Sequence, residues 1–498
     1  MDAPAATASP PPLFVAGPGL PPPDAETMTP GTPESDPPAE SPPNPLCAAS
    51  RTTRLPMSAS GAYQPKSAWT ITVLLTGLAM INFLDKIVLG MVAVPLMADM
   101  HLSPAQFGFV AGSFFWLFST STIIVGFLSN RIATRWILLA MGASWSVLQL
   151  PQAFAGSALA LLVCRVVLGA AEGPSFPTSV HALFKWFPDQ KRSVPVAVIN
   201  QGAILGMMLA GLGIPLVTLR WGWRANFFVL AAVGCAWCVL WLCFGREGTL
   251  AERTHKPLGA HASHGSFEPD AASVTPERLP YRRILTDASV LCVFLLGFVA
   301  YWLLGQTITW LPTYMEKGLG FSSIASGRWF ALVIAFAAPV NIGLSSLSQR
   351  MMKHGTSTRE ARAVLSSVTM IAGALLFVAL ATVDLTPVQK VLCYAVAGAL
   401  PTLCLSVAPA MLAEMVPVAQ RGSVVAINTA VASLGAAIGP VVMGQLVQSH
   451  ANAGSHAYEL GILVTAGLLI AAALAALRWL HPERSMQTLN RKAAALAA

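Results

Sequence analysis

From Ser67 onward the chain repeats one pattern: an apolar stretch, then a short polar connection. Each stretch runs for about 20 to 28 residues, enough at 1.5 Å per residue to cross a hydrocarbon layer about 30 Å thick. Twelve are read, over 68–97, 104–128, 136–155, 158–180, 194–217, 225–244, 288–312, 324–347, 363–383, 388–411, 422–447 and 459–480. The long connection over 245–287 divides them six and six. The pattern predicts an all-α membrane protein of twelve transmembrane helices in two six-helix bundles, over 67–244 and 288–482. Residues 1–66 are rich in Pro, Ala and Ser, a composition that cannot bury enough apolar area to order itself, and are expected to form a tail. A second tail is expected over 483–498.

Composition supports a chain that faces lipid. Hydrophobic residues make up 55% and charged residues only 10%, whereas a soluble domain carries about 25% charged residues. The net charge is +8, but Lys and Arg are scattered in short groups, so no nucleic-acid surface is expected. Most of the 30 Lys and Arg fall in the two tails, the central loop and the connections on that same side. Only Arg220, Arg224, Lys317, Arg328 and Lys390 fall on the other. Basic loops stay in the cytoplasm, which predicts a cell (inner) membrane protein with both termini cytoplasmic. Cysteines mostly sit inside apolar runs and read as small apolar side chains. No cofactor or metal is expected, the Cys235-x-x-Cys238 pair lacking a second pair or a nearby His.

The halves echo each other. Phe127-Leu-Ser-Asn-Arg131 after the second span is matched by Ser346-Leu-Ser-Gln-Arg350 after the eighth. Phe187-Pro-Asp-Gln-Lys-Arg192 before the fifth span is matched by Val416-Pro-Val-Ala-Gln-Arg421 before the eleventh. Parallel repeats six helices apart imply two bundles about an axis along the membrane normal with a cavity between them. That is the plan of an alternating-access carrier, not an enzyme. Neither a phosphate-binding G-x-x-x-x-G-K-[ST] nor an H-E-x-x-H or G-x-S-x-G appears, which argues against a pump or an intramembrane hydrolase. Gly202 with Gly206 and Gly435 with Gly439 permit close helix approach within one fold, and a monomer is expected.

Gly126-Phe-Leu-Ser-Asn-Arg-Ile-Ala-Thr-Arg135 resembles the signature loop of the major facilitator superfamily, with Asn130 in place of the usual Asp and Ala133 in place of the usual Gly. The resemblance implies a gating loop carried by Gly126, Asn130, Arg131 and Arg135. Two further segments, Asn82-Phe-Leu-Asp85-Lys86 and Arg165-Val-Val-Leu-Gly-Ala-Ala-Glu172-Gly-Pro-Ser-Phe-Pro177, look like the anion:cation symporter family. That family includes sugar-acid and aromatic-acid permeases and the sialin-like carriers. The likeness implies that Asp85 and Glu172 carry protons and that Lys86, standing where Arg is usual, and Arg165 handle substrate charge.

The side chains support this independently. A charge at bilayer depth costs about 2.5 to 3.5 kcal/mol on the mildest scale, so four such residues need partners or a purpose. Arg165 and Glu172 lie two turns apart on one helix face, too far to pair directly. Asp85 with Arg165 is the expected pair, with Asn82 one turn from Asp85 and Lys86. Glu172 precedes Gly173 and Pro174, where the helix loses a backbone hydrogen bond. Either carboxyl, once protonated, would release a cation to receive a small organic anion. The alternative is that the four only hold the first and fourth spans together. Uncharged groups of the other half, above all Gln306 and Asn428, and Gln201 in the fifth span, are the expected polar contacts to substrate. The expected partners are thus a small organic anion, protons and the bilayer. An efflux antiporter and a transporter-like sensor stand as the alternative functions.

Overall fold

The structure is a computed structural model and describes residues 63–129, 131–248, 250, 279–417 and 420–497. Asn130, nearly all of the expected first tail and most of the expected central loop lie outside the described residues. Among the described residues every regular element is helical. The amino-terminal half comprises α1 (Pro65–Met91), α2 (Ala93–Asp99), α3 (Pro104–Ser113), α4 (Phe118–Leu128), α5 (Thr134–Ala153), α6 (Ala158–Glu172), α7 (Ser175–Phe184), α8 (Ser193–Trp221) and α9 (Ala225–Phe244). The carboxy-terminal half comprises α10 (Tyr281–Leu285), α11 (Ala288–Thr313), α12 (Ser323–Lys353), α13 (Leu365–Thr382), α14 (Pro387–Ala399), α15 (Leu403–Met415), α16 (Arg421–Ser449), α17 (Ser455–Trp479) and α18 (Pro482–Ala497).

Eleven helical segments among the described residues are long and apolar enough to cross a membrane. The remaining predicted span is α5. At 20 residues it is long enough, but Arg135, Gln149 and Gln152 lower its hydropathy. Several predicted spans are broken, each for a local reason. The first ends at Met91 because Pro95, four residues on, has no N–H to continue the ladder and its ring crowds that carbonyl. The fourth breaks at Gly173-Pro174, between α6 and α7, and the tenth at Pro401, in a 3-10 turn between α14 and α15. Helix starts are capped by side chains. Ser103 and Gln106 form a reciprocal capping box at α3, and Thr386 and Gln389 do the same at α14.

The second span breaks at residues 114–117 where its backbone meets α6. A Cβ on Gly169 would lie 1.7 Å from the carbonyl oxygen of Phe114, and one on Gly173 would lie 2.1 Å from that of Phe118. Only glycine admits this approach.

Within the amino-terminal half α1 packs on α8 and α5 on α9; within the other, α11 packs on α16 and α17, and α13 on α17. The halves meet through α3 on α16, α8 on α12 and α1 on α11. These contacts gather at the end of the molecule away from Pro65 and Trp479. There α3 and α16 run backbone against backbone. Cβ atoms on Gly108 and Gly112 would fall 2.3 Å from the Pro440 oxygen and 2.2 Å from the Ala437 oxygen. The glycine pairs of α8 and α16 are used inside each half: Gly202 and Gly206 seat α8 on α1, and Gly435 seats α16 on α11.

Candidate functional site

The site begins with the choice of helix face. Asn82, Asp85 and Lys86 occupy successive positions near one turn of α1, and Arg165 and Glu172 occupy one face of α6. All are buried. Glu172 is the last residue of α6, directly before the Gly173-Pro174 break. Its Oε2 accepts a 2.9 Å hydrogen bond from Asn82 Nδ2 and lies 3.8 Å from Lys86 Nζ. Lys86 Nζ also donates to Asn82 Oδ1. Asn82 thus bridges the carboxylate and the ammonium, each through the amide atom of suitable polarity.

Asp85 and Arg165 differ from expectation. Arg165 Nη1 donates to the backbone carbonyl of Asp85 at 3.4 Å, not to its carboxylate. Within this cluster the ion pair is Lys86 with Glu172, and Asp85 Oδ1, Glu172 Oε1 and Arg165 Nε are buried without a hydrogen-bond partner. Arg165 ends on the α1 backbone at Asp85, while the flexible Lys86 stem extends from α1 to Glu172 at the break in α6.

The cations are also held by aromatic faces. Arg165 lies 4.7 Å from the Phe114 ring centroid, and Lys86 lies 4.4 Å from Phe83 and 5.2 Å from Phe118. Such contacts offer attraction without a fixed counter-charge.

The remaining predicted residues are dispersed. Gln306 is engaged between helices: its Oε1 accepts from Thr465 Oγ1 at 2.7 Å, and its Nε2 donates to the Gly439 carbonyl at 3.5 Å. Trp302 Nε1 donates to the same Thr465 hydroxyl at 3.1 Å. Asn428 is buried against Gly297, and its Oδ1 has no hydrogen-bond partner. Gln201 is exposed on α8, apart from the charged cluster.

In the predicted gating loop Gly126 meets nothing, Arg131 is exposed and Asn130 lies outside the described residues. Arg135 is anchored, its Nη2 donating 3.2 Å to the Leu242 carbonyl. Sequence reasoning missed the acid that organises this corner, Glu247. It accepts from the N–H groups of Thr134 and Arg135 at 3.2 and 2.9 Å, capping α5, and pairs with Lys185 beyond α7. Burial pushes the Glu247 carboxyl up, but the Lys185 ammonium and the α5 donors outweigh it and hold it below the usual carboxylate range. The other half repeats the device. The Arg359 N–H donates to Glu483 Oε1 at 3.3 Å and its Nη2 to the Leu477 carbonyl at 3.0 Å.

A second omission is Glu459 near the start of α17, buried and engaged chiefly through one oxygen. Lys390 Nζ lies 2.5 Å and the Tyr314 hydroxyl 3.1 Å from Oε1, and His456 Nδ1 lies 2.9 Å from Oε2. The signal was present, an acid opening the last apolar run, but its partners come from three other positions distant in sequence or outside that run.

The sequence matches the family model described as Major Facilitator Superfamily over residues 75–393 and 357–497. The chain belongs to the major facilitator superfamily. As a superfamily member it is a multi-pass membrane transport protein. It is 26% identical over 418 residues to a probable sulfoacetate transporter of Cupriavidus necator, covering 83% of this chain and 94% of that protein. It is 24% identical over 407 residues to a hexuronate transporter of Bacillus subtilis, covering 81% and 92%. The fold is similar to a crystal structure of a bacterial homologue of the human lysosomal transporter Spinster, inward-facing and unoccupied. The TM-score is 0.69 at 17% identity, covering 85% of this chain and 98% of that one.

Proposed function

We propose that this superfamily member is a proton-coupled symporter that takes up a small organic anion, such as a sugar acid or another carboxylate, by alternating access. The observation that carries this is the chain Lys86, Asn82 and Glu172 beside Arg165 and Asp85. It sets two cations and two carboxyls together in a low-dielectric interior. With all four ionised the group is neutral and does not call for an anion. A proton on Glu172 removes the counter-charge of Lys86, and one on Asp85 removes a second negative charge from the cluster. Either event leaves a net cation, and a buried net cation recruits an anion because the unpaired charge is costly. Loss of the proton on the side of lower proton activity restores the internal pair and expels the substrate. Relatives named for sulfoacetate and hexuronate transport support an organic anion as cargo.

In this reading Asp85 and Glu172 carry protons, and Lys86 and Arg165 bind substrate charge. Asn82, Gln201, Gln306 and Asn428 supply polar contacts, and Gly126, Asn130, Arg131 and Arg135 serve gating. The protein acts as a monomer in the cell (inner) membrane with both termini cytoplasmic.

The test uses purified protein in liposomes under an imposed pH gradient, with a panel of hexuronates, hexonates, aromatic acids and sulfoacetate. Glu172→Gln is expected to abolish proton-driven accumulation of the accepted anion while leaving its exchange across the membrane measurable. Full proton-driven accumulation by this variant would overturn the assignment.

A further inference from the structure

Arg165, Gly169 and Gly173 recur every four residues along α6 and its C-cap, and so share one face. That face docks on the break in the second span, where Gly169 meets the backbone of Phe114 and Gly173 that of Phe118. The close approach at Gly169 brings the side chain one turn earlier onto the Phe114 ring, with Arg165 Cζ 4.7 Å from its centroid. The ring itself is fixed. Phe114 is fully buried, its centroid lies 5.0 Å from that of Phe115 and 5.9 Å from that of Phe118, and its carbonyl is pinned under Gly169. The guanidinium resting on it is only partly engaged. Arg165 is 3% exposed, and among the described residues its one hydrogen bond runs from Nη1 to the Asp85 carbonyl. Nε is buried without a partner. Phe114 attracts the charge but has no lone pair to offer the donors, so the edge that holds Nε and Nη2 still lacks an acceptor.

We infer that Phe114 is a positioning residue of the anion site: its ring holds the Arg165 guanidinium so that the Nε and Nη2 edge meets two oxygens of a carboxylate or sulfonate side by side. The inference rests on the reading of Arg165 as a substrate cation and deepens it, naming the edge that binds and the residue that aims it. A fork-to-fork bond of this kind needs two parallel N–H donors and is lost when the guanidinium plane swings. A long side chain free to swing gives up rotamer freedom when it binds, whereas one already held gives up little. The ring can hold Arg165 without competing for it, because the contact brings no negative charge. A carboxylate in the place of Phe114 would hold the guanidinium as firmly and cancel the charge that recruits the anion.

The experiment measures the half-saturation concentration and maximum rate of proton-driven uptake by the full-length protein in liposomes. The probe is whichever of glucuronate, gluconate, benzoate and sulfoacetate the unmodified protein accumulates best. Accumulation of none overturns the reading on which the inference rests, and the inference with it. Phe114→Leu removes the ring, and trifluorophenylalanine at position 114 keeps its shape while draining negative charge from its face. Half-saturation is expected to rise about tenfold in Phe114→Leu and about threefold with the fluorinated ring, the maximum rate staying within a factor of about two. The fluorinated ring alone carries the test if Phe114→Leu does not fold, because a merely structural ring would not respond to fluorine. Half-saturation unmoved by the fluorinated ring, or a change confined to the maximum rate, overturns the inference. If Arg165→Lys still raises half-saturation or abolishes uptake, the reading of Arg165 as a substrate cation stands without it. Half-saturation unmoved in Arg165→Lys overturns that reading and the inference together.

Discussion

Glu172 and Glu459 are both buried carboxylates with a lysine partner, yet their surroundings differ. Glu459 has Lys390 and Tyr314 on one oxygen and His456 beside the other, and the group stands near the start of α17. Glu172 has Asn82 and a 3.8 Å lysine on one oxygen and no hydrogen bond on the other, at a break between two helices. The first arrangement gives the buried carboxylate a close counter-ion and a hydroxyl donor on the same oxygen. The second leaves part of the desolvation cost uncompensated, so a change of protonation or an incoming charge can tip it. A similar contrast separates two local clusters. Buried polar atoms of the carboxy-terminal half near Gln306 satisfy one another, whereas those around Asp85 in the amino-terminal half largely do not.

The contrast can be broken at several points. The largest effect is expected from Arg165→Leu, which removes a proposed substrate cation and leaves Asp85 and Glu172 against a single lysine. Uptake of any accepted anion should fall by about 100-fold or more, consistent with about 3 to 5 kcal/mol for breaking a buried charge set. Initial rates in liposomes check it, and retention of more than a tenth of the wild-type rate would contradict the role. Next in size is Gly112→Leu, which places a side chain against the Ala437 carbonyl. Transport is expected to drop about tenfold or more with the protein still inserted, and cysteine labelling along α3 should show that end no longer closing.

Smaller effects separate structure from chemistry. Gln306→Leu is expected to lower stability by about 1 to 2 kcal/mol, since the Thr465 hydroxyl loses the Gln306 oxygen as an acceptor and the Gly439 carbonyl loses a donor. A melting curve in detergent reads this. If Gln306 also touches substrate, the apparent affinity falls by a larger factor than the melting shift accounts for.

The smallest effect is expected from Glu247→Gln, less than about 1 kcal/mol because the carboxyl is partly exposed. Its sign is definite. The folded-state value of Glu247 is lowered, so its contribution is present above the ordinary carboxylate range and disappears as pH falls through the lowered value. The variant should therefore lose stability at pH 7 and match the unmodified protein under strongly acidic conditions.

How much of this was legible beforehand follows from what each feature depends on. Spans, the twofold plan and the four intramembrane charges are properties of single segments, so apolar run length and one misplaced charge reveal them. Pro95, Gly173-Pro174 and Pro401 even mark where three spans break. The partner of Asp85 was misassigned because pairing depends on relative helix height and side-chain reach, and neither is encoded in spacing along one helix. Glu247 and Glu459 escaped notice for a related reason. Each stands at the edge of an apolar run, where an acid reads as loop, and acquires its role only when distant helix ends converge on it.

The seam between α3 and α16 bears on how such a molecule can cycle. Its surfaces are joined by glycines against carbonyl oxygens, with one hydrogen bond from the Ala105 N–H to Gln448, and α4 adds one beside it between Ser119 and Ser433. Contacts of this kind are individually weak, and none is an ion pair. Parting them strands no charge in lipid and needs no ion to be dehydrated again on the return stroke. The seam is a fastening by fit, reversible because it is nearly neutral in every sense, and a bias of a few kcal/mol arising elsewhere is enough to choose its state.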